Sequence, residues 1–247
     1  MLIQKILEEI KFKEFISLDL ETTGLNSKKD EIIEISAIRF VNGEIKDEFT
    51  TLIKPIALIP KKITSITGIN NSMVSDSPKI VDVFKDFLNF LDNKIIVAHN
   101  IDFDISFIER YATDLSLDFK IAAKCDTLNL SRSFFYNFDK FNLEYLSKVF
   151  EFDHSNAHRA RNDAVNCGKL FIKLISQISS MPLSVIDKVS SLCLDNMNNY
   201  LLYTNIYKMR KFFFDKEFKC IQKLDLKSNV LINKKGSNDP LLDSIDS

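Results

Sequence analysis

The sequence predicts an α/β fold in which a mixed β-sheet is flanked by helices. A strand hairpin comes early in the chain, marked by Asn42-Gly43 between two strand-like runs. After it, segments with helical apolar spacing alternate with short runs rich in β-branched residues, such as Ile95-Ile96-Val97. An early hairpin followed by alternating helices and strands is typical of a mixed sheet with helices packed against it.

The first part of the chain is predicted to form a short helix and three strands. Asn42 and Gly43 both tolerate a positive φ, so a two-residue turn there would pair the strands on either side antiparallel. In order, the predicted elements are an amphipathic helix over residues 1–10 and strands over residues 14–20, 32–41 and 44–53.

Helices and strands alternate in the prediction for residues 79–176. Apolar residues at helical spacing run from Ile80 to Leu91, and we expect Asp102 and Asp126 to be the N-caps of two later helices. In order, the predicted elements are a helix over 79–91, strand 94–98, helix 103–112, strand 121–125, and helices 127–135, 143–150 and 163–176.

A domain boundary is predicted at Met181-Pro182, where the alternating pattern ends. Residues 1–180 would form the main domain and residues 181–247 a C-terminal extension. The extension is mostly helical in tendency up to residue 226, and then rich in Asn, Ser, Gly and Asp, which is typical of a loose tail.

The composition excludes several classes of protein. The 33 basic and 34 acidic residues leave a formal charge of -1, so a contact with nucleic acid would have to be local. The four cysteines lack CxxC spacing, which argues against a zinc ribbon or a disulfide framework and favours a reducing compartment. No apolar stretch reaches the roughly 18 residues of a membrane span, so we expect a cytoplasmic protein with no membrane partner.

Two carboxylates stand two residues apart at the end of the first strand, in Asp19-Leu20-Glu21-Thr22-Thr23-Gly24. Because side chains at i and i+2 of a strand share a face, Asp19 and Glu21 should point to one spot. Their mutual repulsion predicts a cation partner, and carboxylate oxygens suit Mg2+ or Mn2+. By itself the pair is equally compatible with a phosphatase or a surface ion site.

Two further clusters combine histidine with aspartate, His99-Asn100-Ile101-Asp102-Phe103-Asp104 and His158-Arg159-Ala160-Arg161-Asn162-Asp163. Asp104 and Asp163 each fall in the first turn of a predicted helix, where helix capping alone could explain either one. His158 is expected on the loop before its helix. A histidine there could act as a general base at neutral pH, because its unperturbed pKa is about 6.5.

These three motifs together resemble those of the DEDDh exonucleases, in the same order and context. Within that family the chain is most similar to the bacterial proofreading group, which comprises the epsilon subunit of DNA polymerase III and the exonuclease domain built into some polymerases. The segment Ile63-Thr64-Ser65-Ile66-Thr67-Gly68-Ile69 fits that group as well, and the resemblance covers about residues 12–179. It implies a ribonuclease H-like fold.

The resemblance also implies a mechanism and a set of site residues. Asp19, Glu21, Asp104 and Asp163 would be ligands of two divalent cations, with His158 as the general base, and Asp102 would lie outside the metal site. The reaction would be two-metal hydrolysis that releases nucleoside 5′-monophosphates from a 3′ end. The residues expected to contact or support the substrate are Thr22, Thr23, Leu25, Ile66, His99, Asn100 and Phe103. Ordinary loop packing remains the alternative for this second group, and for His99 it is a buried histidine that orients its loop.

The expected substrate is a single-stranded or frayed DNA 3′ end, in proofreading or repair, and a replicative polymerase subunit is a candidate partner. A 3′ exoribonuclease and a non-catalytic polymerase-assembly module are the alternatives. Residues 207–235 carry nine basic and three acidic residues among phenylalanines, which fits either nucleic-acid binding or a helix docked through its aromatic side chains. Gln222-Lys223-Leu224-Asp225-Leu226 is weakly similar to peptides that bind the sliding clamp, with one insertion.

Overall fold

A computed structural model describes residues 3–135, 137–153, 159–192 and 198–228, and for residues 215–228 it describes the backbone alone. The elements, in chain order, are α1 (Ile3–Glu9), β1 (Glu14–Thr22), β2 (Ile32–Val41), β3 (Glu44–Leu52), α2 (Lys61–Thr67), α3 (Ile80–Leu91), β4 (Ile95–Ala98), α4 (Ile101–Asp114), β5 (Ala123–Asp126), α5 (Thr127–Phe134), α6 (Leu143–Val149), α7 (Ala160–Ser179), α8 (Leu183–Leu192) and α9 (Tyr200–Ser228).

The five strands form one mixed sheet in the order β3-β2-β1-β4-β5, which confirms the predicted fold class. β1 pairs antiparallel with β2 and parallel with β4, so β1 lies at the centre. The predicted hairpin is confirmed as well, because β2 and β3 are antiparallel and Asn42 and Gly43 have φ values of 55° and 82°. Positive φ at both positions is the geometry of a type I′ turn.

Alternation along β1 assigns its side chains to the two faces of the sheet. Ile16, Leu18 and Leu20 belong to the apolar core that α3 and α4 complete on one face. On the other face, the ring of Phe15 packs against Phe171 of α7 at a centroid distance of 5.1 Å. The same alternation places Asp19 and Glu21 on the α7 face, towards the end of the strand.

Gly168 allows α7 to approach the sheet closely. A β-carbon at this position would lie 2.3 Å from a ring carbon of Phe40 on β2, which is far inside van der Waals contact. Glycine costs about 1 kcal/mol relative to alanine inside a helix, so the close approach is a packing reason for its presence here. The separation between α7 and β2 therefore depends on this glycine.

The start of α4 and the presence of α2 differ from the prediction. Asp102 is not an N-cap: α4 begins two residues earlier than that would require, and Asn100 occupies the N-cap with a φ of 77°. Asparagine tolerates this left-handed conformation better than most residues, which favours the earlier start. The helix α2 was absent from the prediction, although Pro60 before it and Gly68 after it, with a φ of 74°, are the usual boundary residues of a short helix.

The chain divides into two compact units, residues 1–209 and residues 210–247. The first unit includes the sheet, α8 and the beginning of α9, and the second contains the remainder of α9. The division at residue 180 stays a prediction about domain organisation. In the described parts of the chain, no single helix is long and apolar enough to cross a membrane, and only α7 and α8 taken together, bent by 117° at their junction, meet that test.

Candidate active site

The carboxylate pair on β1 has the predicted arrangement. The strand extends to Thr22, two residues beyond its predicted end, so Asp19 and Glu21 both lie within it. The pairing with β2 shifts register between Glu21 and Thr22, which marks the end of regular pairing just after the second carboxylate. Both side chains are half-buried.

Asp163 in the first turn of α7 joins the pair on β1. One carboxylate oxygen from each of Asp19, Glu21 and Asp163 lies within 4.8 Å of the others, a spacing that could hold a metal ion. Residues more than 140 positions apart in the sequence thus contribute to one cluster. The approach of α7 to the sheet beside Phe40 brings the third carboxylate into place.

Asp104 is held beside this cluster by the backbone of β1. Its Oδ1 accepts a hydrogen bond of 3.1 Å from the amide of Leu20, the residue between Asp19 and Glu21. Asp104 is only 4% exposed. Asp104 is not one of the three residues whose oxygens lie within 4.8 Å of one another. Its hydrogen bond to Leu20 places it next to that cluster.

Burial and repulsion by neighbouring carboxylates raise the pKa values of Asp19, Glu21 and Asp104. Burial raises the pKa of Glu21 to about 8, and the charges of Asp163 and Glu34 contribute to the same shift. Burial likewise raises the pKa of Asp104 to about 8, against the opposing effect of the Leu20 hydrogen bond. The pKa of Asp19 is well above its ordinary value because of burial and then the charge of Asp104. A divalent cation would offset this repulsion.

The turn before α4 fixes the position of Asp104. Asp126 caps α5 as predicted, with Oδ1 accepting from the amides of Leu128 at 2.8 Å and Asn129 at 3.2 Å. The same oxygen accepts from the amide of Asn100 at 3.3 Å. The carboxylate of Asp126 therefore connects the end of β5 to the turn between β4 and α4.

His99 makes protein contacts through both ring nitrogens. Nε2 lies 2.7 Å from the carbonyl oxygen of Phe141, and Nδ1 lies 2.9 Å from Oγ1 of Thr127. Because a carbonyl oxygen can only accept, Nε2 carries the proton, and Nδ1 of the neutral ring is an acceptor. The hydroxyl of Thr127 is the donor beside it, and it also lies 3.2 Å from the carbonyl oxygen of Ala98. Burial lowers the pKa of His99, in agreement with a neutral ring. These contacts match those of a histidine that orients its loop, although His99 is half-buried rather than fully buried.

The side chains predicted to contact substrate differ in exposure. Thr22 and Thr23 are engaged within the β1–β2 loop, since Thr22 Oγ1 donates to the carbonyl of Gly24 and Thr23 Oγ1 accepts from the amide of Glu31. Leu25 on this loop is 87% exposed and Ile66 on α2 is 46% exposed. Asn100 is also exposed, while Phe103 is half-buried with its ring 5.1 Å from that of Phe107.

One predicted site residue, His158, and one residue predicted to lie outside the site, Asp102, had different outcomes. His158, the expected general base, lies outside the described residues, so its role stays a prediction. Asp102 is exposed and forms an ion pair of 3.2 Å with Lys124, in agreement with its expected position outside the metal site.

Glu34 and Arg159 belong to the site but were not singled out by the sequence patterns. Glu34 lies directly opposite Glu21 in the β1–β2 pairing and is 2% exposed. Its carboxylate accepts from Arg159 and from the amide of Ala160, the first residue of α7. A charged residue inside the apolar run Ile32-Ile33-Glu34-Ile35 was the available signal, because a buried carboxylate requires partners.

The donor set fits hard divalent cations. Carboxylate oxygens, close together and with raised pKa values, form the kind of site that such ions occupy.

This chain is similar to known exonucleases and to proteins of DNA polymerase III. The model of a family described as exonuclease matches residues 16–171. DNA polymerase III subunit epsilon of Aquifex aeolicus is 35% identical over 165 residues, which cover 66% of this chain and 81% of that protein. The PolC-type DNA polymerase III of Caldanaerobacter subterraneus subsp. tengcongensis is 37% identical over 182 residues, or 74% of this chain.

The PolC-type relatives are much longer than this chain. The alignment covers only 13% of the Caldanaerobacter polymerase. The PolC-type polymerase of Thermotoga maritima is 31% identical over 236 residues, covering 90% of this chain and 17% of the polymerase. An alignment that covers 90% of the chain includes part of the C-terminal extension, beyond the range indicated by the motifs.

Solved structures share the fold. Exonuclease X in complex with 5′ overhanging duplex DNA superposes with a TM-score of 0.52 at 23% identity, covering 76% of this chain and 98% of that one. Escherichia coli exonuclease I in complex with a dT13 oligonucleotide gives a TM-score of 0.62 at 18% identity, covering 72% of this chain and 43% of exonuclease I. At these identities the likeness concerns the fold, which is ribonuclease H-like as predicted.

Proposed function

Because this chain belongs to the exonuclease family and carries a 3′–5′ exonuclease domain similar to DNA polymerase III epsilon, we propose that it removes nucleotides from DNA 3′ ends by metal-dependent hydrolysis. The observation that carries the proposal is the convergence of Asp19, Glu21 and Asp163, whose oxygens lie within 4.8 Å of one another. The exonuclease domain would comprise residues 1–180, with residues 181–247 as an extension.

Asp19, Glu21 and Asp163 would hold the divalent cations, and buried Asp104 would complete the set through the oxygen that does not bind Leu20. Mg2+ or Mn2+ is the proposed ion, since both prefer carboxylate oxygens. When bound, such ions lower the pKa of the attacking water and stabilise the leaving oxygen of the phosphodiester.

The protein side chains would bind the substrate and accept the proton. His158, which immediately precedes Arg159, would take the proton of the attacking water. Leu25 and Ile66 are exposed apolar side chains that can pack against the terminal bases without reading their sequence. His99 would support the site by orienting the β4–α4 turn, in which Asn100 precedes the first turn of α4 that carries Asp104.

A single-stranded or frayed DNA 3′ end is the proposed substrate. The complexes of exonuclease I with a dT13 oligonucleotide and of exonuclease X with 5′ overhanging duplex DNA support this substrate, as do the polymerase III relatives. The same relatives support action with a replicative polymerase in the bacterial cytoplasm. Residues 222–226, which resemble clamp-binding peptides, lie in the part of α9 described by its backbone alone, and clamp binding stays a prediction.

The proposal can be tested with 5′-labelled oligonucleotides of identical sequence in DNA and RNA. With Mg2+ or Mn2+, we expect a ladder of DNA products shortened one nucleotide at a time from the 3′ end, and no products in EDTA. A duplex with a mismatched 3′ end should be shortened faster than its matched counterpart, since fraying exposes the terminal nucleotides. Internal cleavage, or faster hydrolysis of the RNA, would contradict the proposed substrate.

A further inference from the structure

The N-terminus of α7 is capped by a residue from another element. The first amides of a helix need acceptors from outside its own hydrogen-bond ladder. Arg159 occupies the N-cap position in an extended conformation and its side chain makes no capping hydrogen bond. Instead, Oε2 of Glu34 on β2 accepts a hydrogen bond of 3.0 Å from the amide of Ala160.

The same carboxylate also binds the side chain of Arg159. Nη2 donates to Oε1 at 2.7 Å and Nε donates to Oε2 at 3.2 Å, so the guanidinium uses two donors on the two oxygens. The Glu34 side chain is only 3% exposed. A bidentate pair at such a buried site fixes geometry more tightly than an exposed ion pair does.

This contact is one helical turn from a proposed metal ligand. The amide of Asp163 donates to the carbonyl of Arg159 at 3.1 Å, so the backbone that Glu34 holds leads directly to Asp163. Glu34 itself lies opposite Glu21 across the strand pair. A shift of Arg159 would therefore separate Asp163 from the two carboxylates on β1.

A second arginine of the same turn provides an internal comparison. Arg161 forms a bidentate pair with Glu48 on β3, with distances of 2.8–3.1 Å. The side chains of Arg161 and Glu48 are 49% and 39% exposed. Exposed ion pairs contribute little to stability on average. The two pairs thus tether one helical turn to neighbouring strands, one in the interior and one in water.

We propose that Glu34 is a positioning residue of the metal site, which holds the first turn of α7 so that Asp163 stays beside Asp19 and Glu21. Glu34 is not a ligand in this proposal, and it acts through Arg159 and Ala160. The inference rests on the proposed function, because it assigns Glu34 a role in a site that binds divalent cations.

The test compares Glu34→Gln with Glu48→Gln, which remove one charge each from the two tethers. Mn2+ affinity is measured by calorimetry on the full chain without DNA, and hydrolysis of single-stranded DNA is measured separately over a range of Mn2+ concentrations. We expect Glu34→Gln to weaken Mn2+ binding by about 10- to 100-fold, as for other residues that orient metal ligands. Its KM for DNA at saturating Mn2+ should stay within about twofold of wild type, and Glu48→Gln should change neither quantity by more than about twofold.

A charge-compensated variant separates position from electrostatic field. Glu34→Gln combined with Arg159→Gln restores the net charge but not the bidentate contact, so Mn2+ affinity should stay low. Recovery of wild-type affinity in this double variant would overturn the positional role. If Glu34→Gln does not fold by circular dichroism, Arg159→Lys replaces it: lysine keeps the charge without the guanidinium fork, and an affinity equal to wild type would refute the inference.

The same calorimetry distinguishes a failure of the proposed function from a failure of the positioning role of Glu34. Wild-type protein that binds no Mn2+ would contradict the proposed function itself. Wild-type protein that binds Mn2+, together with a Glu34→Gln variant that binds it equally well, would overturn the positioning role and leave the proposed function standing.

Discussion

The carboxylate of Asp104 accepts a hydrogen bond from the amide of Leu20, at 3.1 Å, across 84 positions of sequence. Leu20 faces the core, and its neighbours Asp19 and Glu21 face the opposite side of the sheet beside Asp163. The backbone of β1 thus orients two carboxylates directly and a third through its amide. This bond connects the helix α4 to the cluster and gives Asp104 a role that Asp102 cannot share.

Asp104→Asn and Asp102→Asn form a matched pair of substitutions in the same helical turn. Asp104→Asn should lower kcat by about 10²-fold or more, because several kcal/mol of transition-state stabilisation depend on the metal ligands. Asp102→Asn should leave kcat within about twofold, since Asp102 is exposed and pairs with Lys124 and Asn198 among the described residues. Steady-state hydrolysis of a 5′-labelled oligonucleotide measures both. Equal effects of the two substitutions would contradict the assignment of Asp104.

Much of this site could be predicted from sequence because its parts are local. Asp19 and Glu21 share a face through the period of two in a strand, and Asp163 falls in the first turn of a helix with a regular apolar pattern. The hairpin depended on Asn42-Gly43, whose backbone preference acts within two residues. In each case the physical cause lies within a few positions of the feature that was predicted.

The features that were missed depend on contacts between distant segments or on very short elements. The pair formed by Glu34 and Arg159 joins residues 125 positions apart, and no local pattern connects them. The helix α2 has only two apolar side chains, Ile63 and Ile66, among its seven residues, too few for an apolar period to show. The start of α4 was misplaced because Asn100 is fixed by Asp126 from another strand.

Gly168→Ala should destabilise the protein. Alanine would normally favour a helix by about 1 kcal/mol, but here the added carbon would lie 2.3 Å from the ring of Phe40. We expect a net loss of about 1–3 kcal/mol in the free energy of unfolding, the usual cost of overpacking. Urea denaturation measures it. Adding Phe40→Leu to Gly168→Ala should recover part of the loss, and a Gly168→Ala variant more stable than wild type would refute the close packing.

Stability of the metal-free protein should fall as pH rises from about 4.5 to 8. Glu21 and Asp104 have folded-state pKa values of about 8, against ordinary values of 4.5 and 3.8. In this range the folded protein therefore binds more protons than the unfolded chain, so the free energy of unfolding decreases with pH. Thermal denaturation in EDTA measures the trend.

The control for this prediction is Asp104→Asn, which should make the decrease with pH shallower. Added Mg2+ should raise the melting temperature most near pH 8, where the carboxylates ionise readily. A melting temperature in EDTA that is constant or rises between pH 5 and 8, with the same behaviour in Asp104→Asn, would contradict the raised pKa values.

Leu25→Ala and Ile66→Ala should weaken substrate binding more than they slow hydrolysis. Both side chains are exposed and apolar, and full burial of a leucine or isoleucine side chain against a base would contribute about 1.5–3 kcal/mol. We expect a higher KM for single-stranded DNA with kcat little changed, the pattern of lost uniform binding. Val81→Ala, which truncates an exposed apolar side chain on α3, serves as the control. An unchanged KM in both variants would contradict a contact with substrate and leave ordinary surface packing as the explanation of these side chains.

The central claim is that the carboxylate cluster begun by Asp19 and Glu21 carries out metal-dependent hydrolysis at DNA 3′ ends. Its most direct test is the time course of nucleoside 5′-monophosphate release from a single-stranded oligonucleotide, with Mg2+, by wild type and Asp19→Ala. The account predicts stepwise release by wild type and none above background by Asp19→Ala, with the variant still folded by circular dichroism. Release by Asp19→Ala at a rate near that of wild type would contradict it.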